Sequence, residues 1–122
     1  MSNDLYDRAV AISERAYAPY SNYLVGAAVR TRDGKVFEGV NVENAAYPLG
    51  VCAEKTALAK AVSEGYKPGD IEAIGITASP CGGCRQWLYE FRVGEVTFMS
   101  STGELVTSSA VELLPDTWDL PA

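Results

Sequence analysis

Cys52, Cys81, Cys84 and Glu54 are the residues of this 122-residue chain whose types and spacing are suited to chemistry. The chain has no histidine, so these three thiols are the only thiol or imidazole ligands one copy offers to a transition metal. A structural zinc is closed by four protein ligands, whereas a catalytic zinc keeps three and leaves its fourth position to water. Three thiolates without a fourth such partner fit the second arrangement. A carboxyl group two residues from a ligand supplies the base that an activated water needs, and without histidine a carboxylate is the natural proton carrier.

The elements that must position these residues are legible as periodicity and punctuation. Asn3 or Asp4 is suited to cap a first helix whose apolar residues Leu5, Ala9, Ile12 and Ala16 recur at helical spacing, ending before Pro19. Tyr20–Tyr23 turn into a strand over Leu24–Val29, whose small residues permit close backbone approach. Asp33-Gly34 is a hairpin turn leading to a second strand over about Lys35–Val42, and alternation places Phe37, Gly39, Asn41 and Glu43 on one side of it. An amide and a carboxylate pointing the same way at a strand end can hydrogen-bond two adjacent hydroxyls, although such a pair is more commonly just solvated.

A second helix over about Cys52–Ser63 packs through Ala57, Leu58, Ala61 and Val62, and its N-terminus favours thiolate. Ile71–Thr77 is apolar enough for a central strand. A third helix starting at Pro80 puts Cys81, Cys84, Leu88 and Phe91 on one core-facing stripe. Glu95–Met99 and Leu105–Thr107 complete the strands, and Ser108 caps a short last helix. Alternating helices and strands after an initial hairpin predict an α/β fold, with a mixed five-stranded sheet in a three-layer α-β-α sandwich.

With 48% hydrophobic residues the chain is expected to form one domain over residues 1–122. A formal charge of −6 argues against a phosphate-binding surface, hence against a nucleic acid polymer as partner. The start of the chain lacks the charged and apolar regions of a signal peptide, and no stretch is long enough to span a bilayer. The expectation is a cytoplasmic protein with no membrane partner, a compartment in which three free thiols survive.

Cys52-Ala53-Glu54 followed by Pro80-Cys81-Gly82-Gly83-Cys84 resembles the signature of the zinc cytidine deaminases. The likeness continues through Tyr20-Ser21-Asn22-Tyr23, Val25-Gly26-Ala27-Ala28, Asn41-Val42-Glu43-Asn44-Ala45-Ala46-Tyr47 and Glu112-Leu113-Leu114-Pro115. It covers nearly the whole chain, in order, and the chain resembles the small three-cysteine nucleoside deaminases. The resemblance implies zinc-dependent hydrolytic deamination of cytidine or 2'-deoxycytidine, with Zn²⁺ on Cys52, Cys81 and Cys84 and Glu54 as proton shuttle. It also implies a sugar held by Asn41 and Glu43, and a base contacted by Tyr23, the backbone around Ala53 and the carbonyl of Ser79. Ala45, Tyr47 and Trp118 would reach a neighbouring subunit's site, making the protein a homotetramer with shared sites.

Three departures from the family pattern stand out. Tyr23 occupies a position commonly held by phenylalanine. Lys55 replaces an arginine that offsets the thiolate charge, and lysine offers no planar two-pronged hydrogen bond. The Ala78-Ser79 connection looks short, which suggests a rim open enough to admit N4-substituted cytidines.

Two other readings remain open on sequence. Cys81-Gly82-Gly83-Cys84 at a helix start is also a dithiol redox pattern, and a zinc-stabilised binding module would result if Glu54 closed the metal site. Among deaminases, one acting on an aminonucleoside antibiotic would share the same zinc signature.

Overall fold

The computed structural model describes residues 2–120, with side chains from residue 4 onward. The elements in chain order are α1 (Ser2–Ser13), β1 (Gly26–Thr31), β2 (Val36–Val40), a short 3₁₀ turn (Tyr47–Leu49), α2 (Ala53–Ser63), β3 (Ile71–Ile76), α3 (Gly82–Glu90), β4 (Glu95–Met99), β5 (Leu105–Ser108) and α4 (Ala110–Leu113). The five strands form one sheet in the order β2-β1-β3-β4-β5, in which β3 and β4 run parallel and the other neighbours antiparallel. The expected mixed sheet between helical layers is therefore present.

Strand alternation builds the layers. Ala27, Ile76 and Phe98 form one row across the sheet and Val29, Ile74 and Val96 the next. Both rows pack under α2 and α3, against Ala53, Ala57, Leu58, Ala61 and Leu88. On the opposite face Ala28 and Ala73 pack against Leu5 of α1. That face is lined by small residues for a steric reason. A Cβ on Gly26 would lie 2.0 Å from the Ala9 carbonyl oxygen, and one on Gly75 would lie 2.5 Å from the Tyr6 nitrogen. Gly39 does the same for α2, where a Cβ would meet the Ala57 nitrogen at 2.4 Å.

Several boundaries differ from expectation, each for a visible reason. α1 starts at Ser2, which places Asp4 in its first turn rather than at the cap; the side chain of Asn3 lies outside the described residues. The helix stops at Ser13 and Ala16 falls outside it, because Tyr17 is drawn into pairing alongside residues 41–43: its N–H donates to the Asn41 carbonyl at 3.1 Å, and its carbonyl accepts from Glu43 at 2.8 Å. Leu24 and Val25 precede β1 because Asn41 holds that segment as a loop. Beyond Val40 the second strand leaves β1, and Val42 instead exchanges two 2.9 Å backbone hydrogen bonds with Val51.

Val62 is 46% exposed, on the flank of α2 away from its buried stripe. Ser109, not Ser108, caps α4, in a capping box with Glu112; Ser108 ends β5.

The close approach of α1 to the sheet makes a testable demand. Gly26→Ala must push α1 off its seat against rigid backbone and is expected to cost about 1–3 kcal/mol, the usual range for overpacking. Gly94→Ala, whose Cβ would meet only the Glu72 carbonyl at 3.8 Å, should change stability by less than about 0.5 kcal/mol. Urea unfolding of the two variants checks the contrast.

Candidate active site

Two helix starts meet at the carboxyl end of β3, the edge of an open α/β sheet where ligands usually bind. The Val42–Val51 bridge closes the loop over residues 43–50 and delivers the chain to Cys52, the N-cap of α2. The connection after Ile76 delivers Cys81, the N-cap of α3. Both caps have extended backbone and neither makes a side-chain capping bond, so side-chain capping leaves the first-turn amides free and the positive helix ends lie beside the two cysteines. Sequence periodicity put Cys81 on the core-facing helix stripe; it lies instead one residue before the helix and is exposed, while Cys84 in the first turn is fully buried. Pro80 correspondingly precedes the cap rather than starting the helix.

The sulfurs of Cys52, Cys81 and Cys84 all lie within 4.8 Å of one another, and those of Cys52 and Cys81 are 3.9 Å apart. Tetrahedral bonds of about 2.3 Å to a shared zinc would separate two sulfurs by about 3.8 Å, a spacing that Cys52 and Cys81 meet and that the three-thiol set approaches. The cysteines are free rather than disulfide-bonded. Among them Cys52 is the first to ionise: the Cys84 thiol donates to it and holds its pKa down, to about 6. Cys84, the donor and more deeply set, is pushed up.

Glu54 sits in the first turn of α2 and is only 4% exposed. Burial is the main cause that raises its carboxyl to about 7, with the charge of Cys52 adding to the shift. A carboxyl that ionises near neutrality can both take up and release a proton under ordinary conditions.

These groups share a cavity of about 210 Å³ lined by Tyr23, Val25, Asn41, Cys52, Ala53, Glu54, Ala78, Ser79 and Cys81. The Asn41 side chain is already engaged there, accepting from the Val25 N–H at 2.9 Å and donating to the Tyr23 carbonyl at 2.9 Å. One amide hydrogen and one oxygen lone pair remain for a ligand.

Glu43 instead lines a second cavity, of about 340 Å³, together with Tyr20, Ser21, Asn44, Tyr47 and Gly50. Its carboxylate accepts from the Tyr20 and Ser21 N–H groups at 2.9 and 3.1 Å and from the Ser21 hydroxyl, and these bonds, the hydroxyl's foremost, lower its pKa. Asn41 and Glu43 thus both turn toward the segment of residues 20–25, as alternation predicts, but they open on different cavities.

Lys55 lies close to the start of α3, its Nζ 3.6 Å from where a Cβ of Gly83 would stand, and its charge helps to lower the Cys52 pKa. Ala45, Tyr47 and Trp118 do not reach the thiols; all three are exposed, Tyr47 at 79% and Trp118 at 72%. A larger groove, about 910 Å³ along α2, contains Lys55 and Trp87 but none of the three cysteines, so size alone does not locate the chemistry.

Two participants escaped sequence reasoning. Ser21 anchors Glu43, and Arg85 ties the Ser79-Pro80 rim to α4. Ser21 meets a carboxylate 22 residues further on, and Arg85 bonds two backbone carbonyls, one of them 28 residues away, contacts that no spacing rule reveals.

Three converging thiols at paired helix starts, beside a buried carboxyl, form a group that could hold a thiophilic ion on an α/β scaffold. Comparison with known proteins is specific. A model of the cytidine and deoxycytidylate deaminase zinc-binding region matches residues 1–100. A probable cytidine deaminase of Dictyostelium discoideum is 45% identical over 116 residues, covering 89% of this chain and 78% of that protein. The cytidine deaminase of Halalkalibacterium halodurans is 42% identical over 119 residues, covering 91% and 89%. The crystal structure of cytidine deaminase from Burkholderia pseudomallei superposes with a TM-score of 0.89 at 45% identity, covering 97% of this chain and 99% of that one. The chain belongs to the cytidine and deoxycytidylate deaminase family.

The Glu43 anchor predicts a pH dependence. Its folded pKa lies below the ordinary 4.5, so the stability it contributes is fully present above about pH 4.5 and is lost as pH falls through the folded value. Glu43→Gln should therefore be less stable than the parent at neutral pH and lose less on acidification. Urea midpoints measured from about pH 6 down to about pH 3 test this; equal slopes for the two proteins would refute it.

Proposed function

We propose that the protein hydrolyses cytidine or 2'-deoxycytidine to the corresponding uridine and ammonia, and that residues 1–122 act as one catalytic domain. The observation that carries the reading is the buried Glu54 carboxyl, raised to about 7, in the same cavity as Cys52 and Cys81. Zinc held by Cys52, Cys81 and Cys84 would supply a Lewis acid that makes water nucleophilic near neutral pH. Glu54 takes the proton of the attacking water and passes it to ring N3 as the oxygen adds to C4. It later delivers a proton to the departing amine. The helix starts at Cys52 and Cys81 and the cation of Lys55 offset the negative charge of the thiolates.

The base fits the small cavity between Tyr23, the Ala53 backbone and the Ser79 carbonyl. Its sugar extends from that cavity, where the free valences of Asn41 receive one hydroxyl, toward the second, where the carboxylate of Glu43 receives the other. Tyr47, Trp118 and Ala45, exposed in one subunit, complete the sites of neighbours in a homotetramer. The role this reading gives the protein is pyrimidine salvage in the cytoplasm. Among the described residues no helix is long and apolar enough to cross a membrane. The dithiol redox reading is disfavoured by the convergence of the third thiol, Cys84, and by the buried carboxyl beside the cluster.

Glu54→Gln keeps the shape of the side chain and removes its titration. The expected result is retained zinc with turnover reduced by at least about 10²–10⁴-fold, the usual contribution of a placed acid–base group. A variant with near-parental turnover would overturn the assignment. Because Ala78 and Ser79 line the cavity, an N4-acylcytidine should also be turned over, though more slowly than cytidine. Complete rejection of the acyl analogue would contradict the open rim.

A further inference from the structure

Arg85 lies outside the metal-binding, acid–base and substrate-contact groups, yet among the described residues its guanidinium joins the rim of the site to the end of the fold's last helix. It stands one residue after Cys84, in the first turns of α3, and is half-buried. Its Nε donates to the Pro80 carbonyl at 2.9 Å, Nη1 to the Leu113 carbonyl at 3.1 Å, and Nη2 to the Ser79 hydroxyl at 3.3 Å. Its charge faces carbonyl and hydroxyl oxygens rather than a carboxylate, so it acts as a geometric clamp and not as an ion-pair partner.

The first acceptor is the decisive one. The Pro80 carbonyl belongs to the peptide that joins Pro80 to Cys81, and Cys81 is the most exposed of the three thiols. Cys81 has no helical hydrogen bond to its own N–H to hold it, because it is an N-cap with extended backbone. Cys52, by contrast, follows directly on the Val42–Val51 bridge, and Cys84 is locked in the packed helix.

We propose that Arg85 is a positioning residue, which fixes the Ser79-Pro80-Cys81 segment so that the Cys81 sulfur stands at bonding distance from an ion shared with Cys52 and Cys84, and Ser79 at the substrate rim. The inference rests on the metal-dependent reading of the site. Only a planar fork with three donors in fixed directions spans these three acceptors; a lysine at the same position places its ammonium on one or two of them. The Leu113 bond makes α4 part of the same support, since the guanidinium cannot rotate away from Pro80 without losing the α4 carbonyl.

The test is Co²⁺ binding to the purified full-length chain stripped of metal, followed by its thiolate charge-transfer absorbance, with cytidine kcat and KM on the zinc-loaded proteins. The proteins compared are the parent, Arg85→Lys and Ser79→Ala, each measured well below its unfolding temperature. Arg85→Lys should weaken Co²⁺ affinity by roughly 10–100-fold, the usual effect of losing a group that orients a ligand. It should also raise KM along with lowering kcat. Ser79→Ala, which removes only the longest arm and leaves the Pro80 and Leu113 bonds, should keep the parent's Co²⁺ affinity.

A merely structural arginine would lower the unfolding temperature and leave the affinity and spectrum of the folded protein unchanged, and that result overturns the proposal. Should Arg85→Lys not fold, Arg85→Gln provides the same comparison with one arm retained, and parental Co²⁺ affinity in that variant overturns it equally. A parent that binds no Co²⁺ would instead refute the metal-dependent reading itself, and this inference with it.

Discussion

The convergence of two helix N-termini on one point is the constraint from which the rest of the structure follows. A thiolate cluster concentrates negative charge, and the site opposes it with the positive ends of α2 and α3, with free first-turn amides and with Lys55. Both helices must lie on the same face of the sheet with their starts at the same edge. The apolar rows Ala27–Ile76–Phe98 and Val29–Ile74–Val96 provide that bed. Gly39 lets α2 approach β2 closely enough to place Cys52, just as Gly26 and Gly75 seat α1 on the other face.

Burial is the second ingredient. Glu54 is held in a helix whose inner face, Ala57, Leu58 and Ala61, is completely enclosed, and the same packing that stabilises the fold desolvates its carboxyl. An exposed glutamate ionises near pH 4.3 and would be a poor proton donor at neutrality. Here the fold itself supplies the shift to about 7, so the acid–base group is tuned by packing rather than by a dedicated partner.

Much of this was legible in the residues. The three thiols were identifiable because the chain has no other cysteine and no histidine, Glu54 because it stands two residues from Cys52, and the strands because their periodicity and turn residues agree, as at Asp33-Gly34. What periodicity could not supply was the non-repetitive backbone around the site. Cys81 reads as a helical position by spacing but is the extended residue before the helix. Asn41 and Glu43 read as the end of a strand but lie beyond Val40, where the chain pairs with Tyr17 and Val51 instead. Arg85 is silent in sequence because its acceptors, apart from the Ser79 hydroxyl, are backbone carbonyls, and one of them is 28 residues away.

A three-thiol metal site working with Glu54 on a cytosine nucleoside must lose its activity with the metal. The most direct measurement follows the ultraviolet absorbance of cytidine with the purified protein, with the same protein stripped of metal, and with the stripped protein after zinc is restored. Conversion to uridine should disappear with the metal and return with zinc. Full zinc occupancy without any conversion would contradict it, as would conversion that persists in the stripped protein.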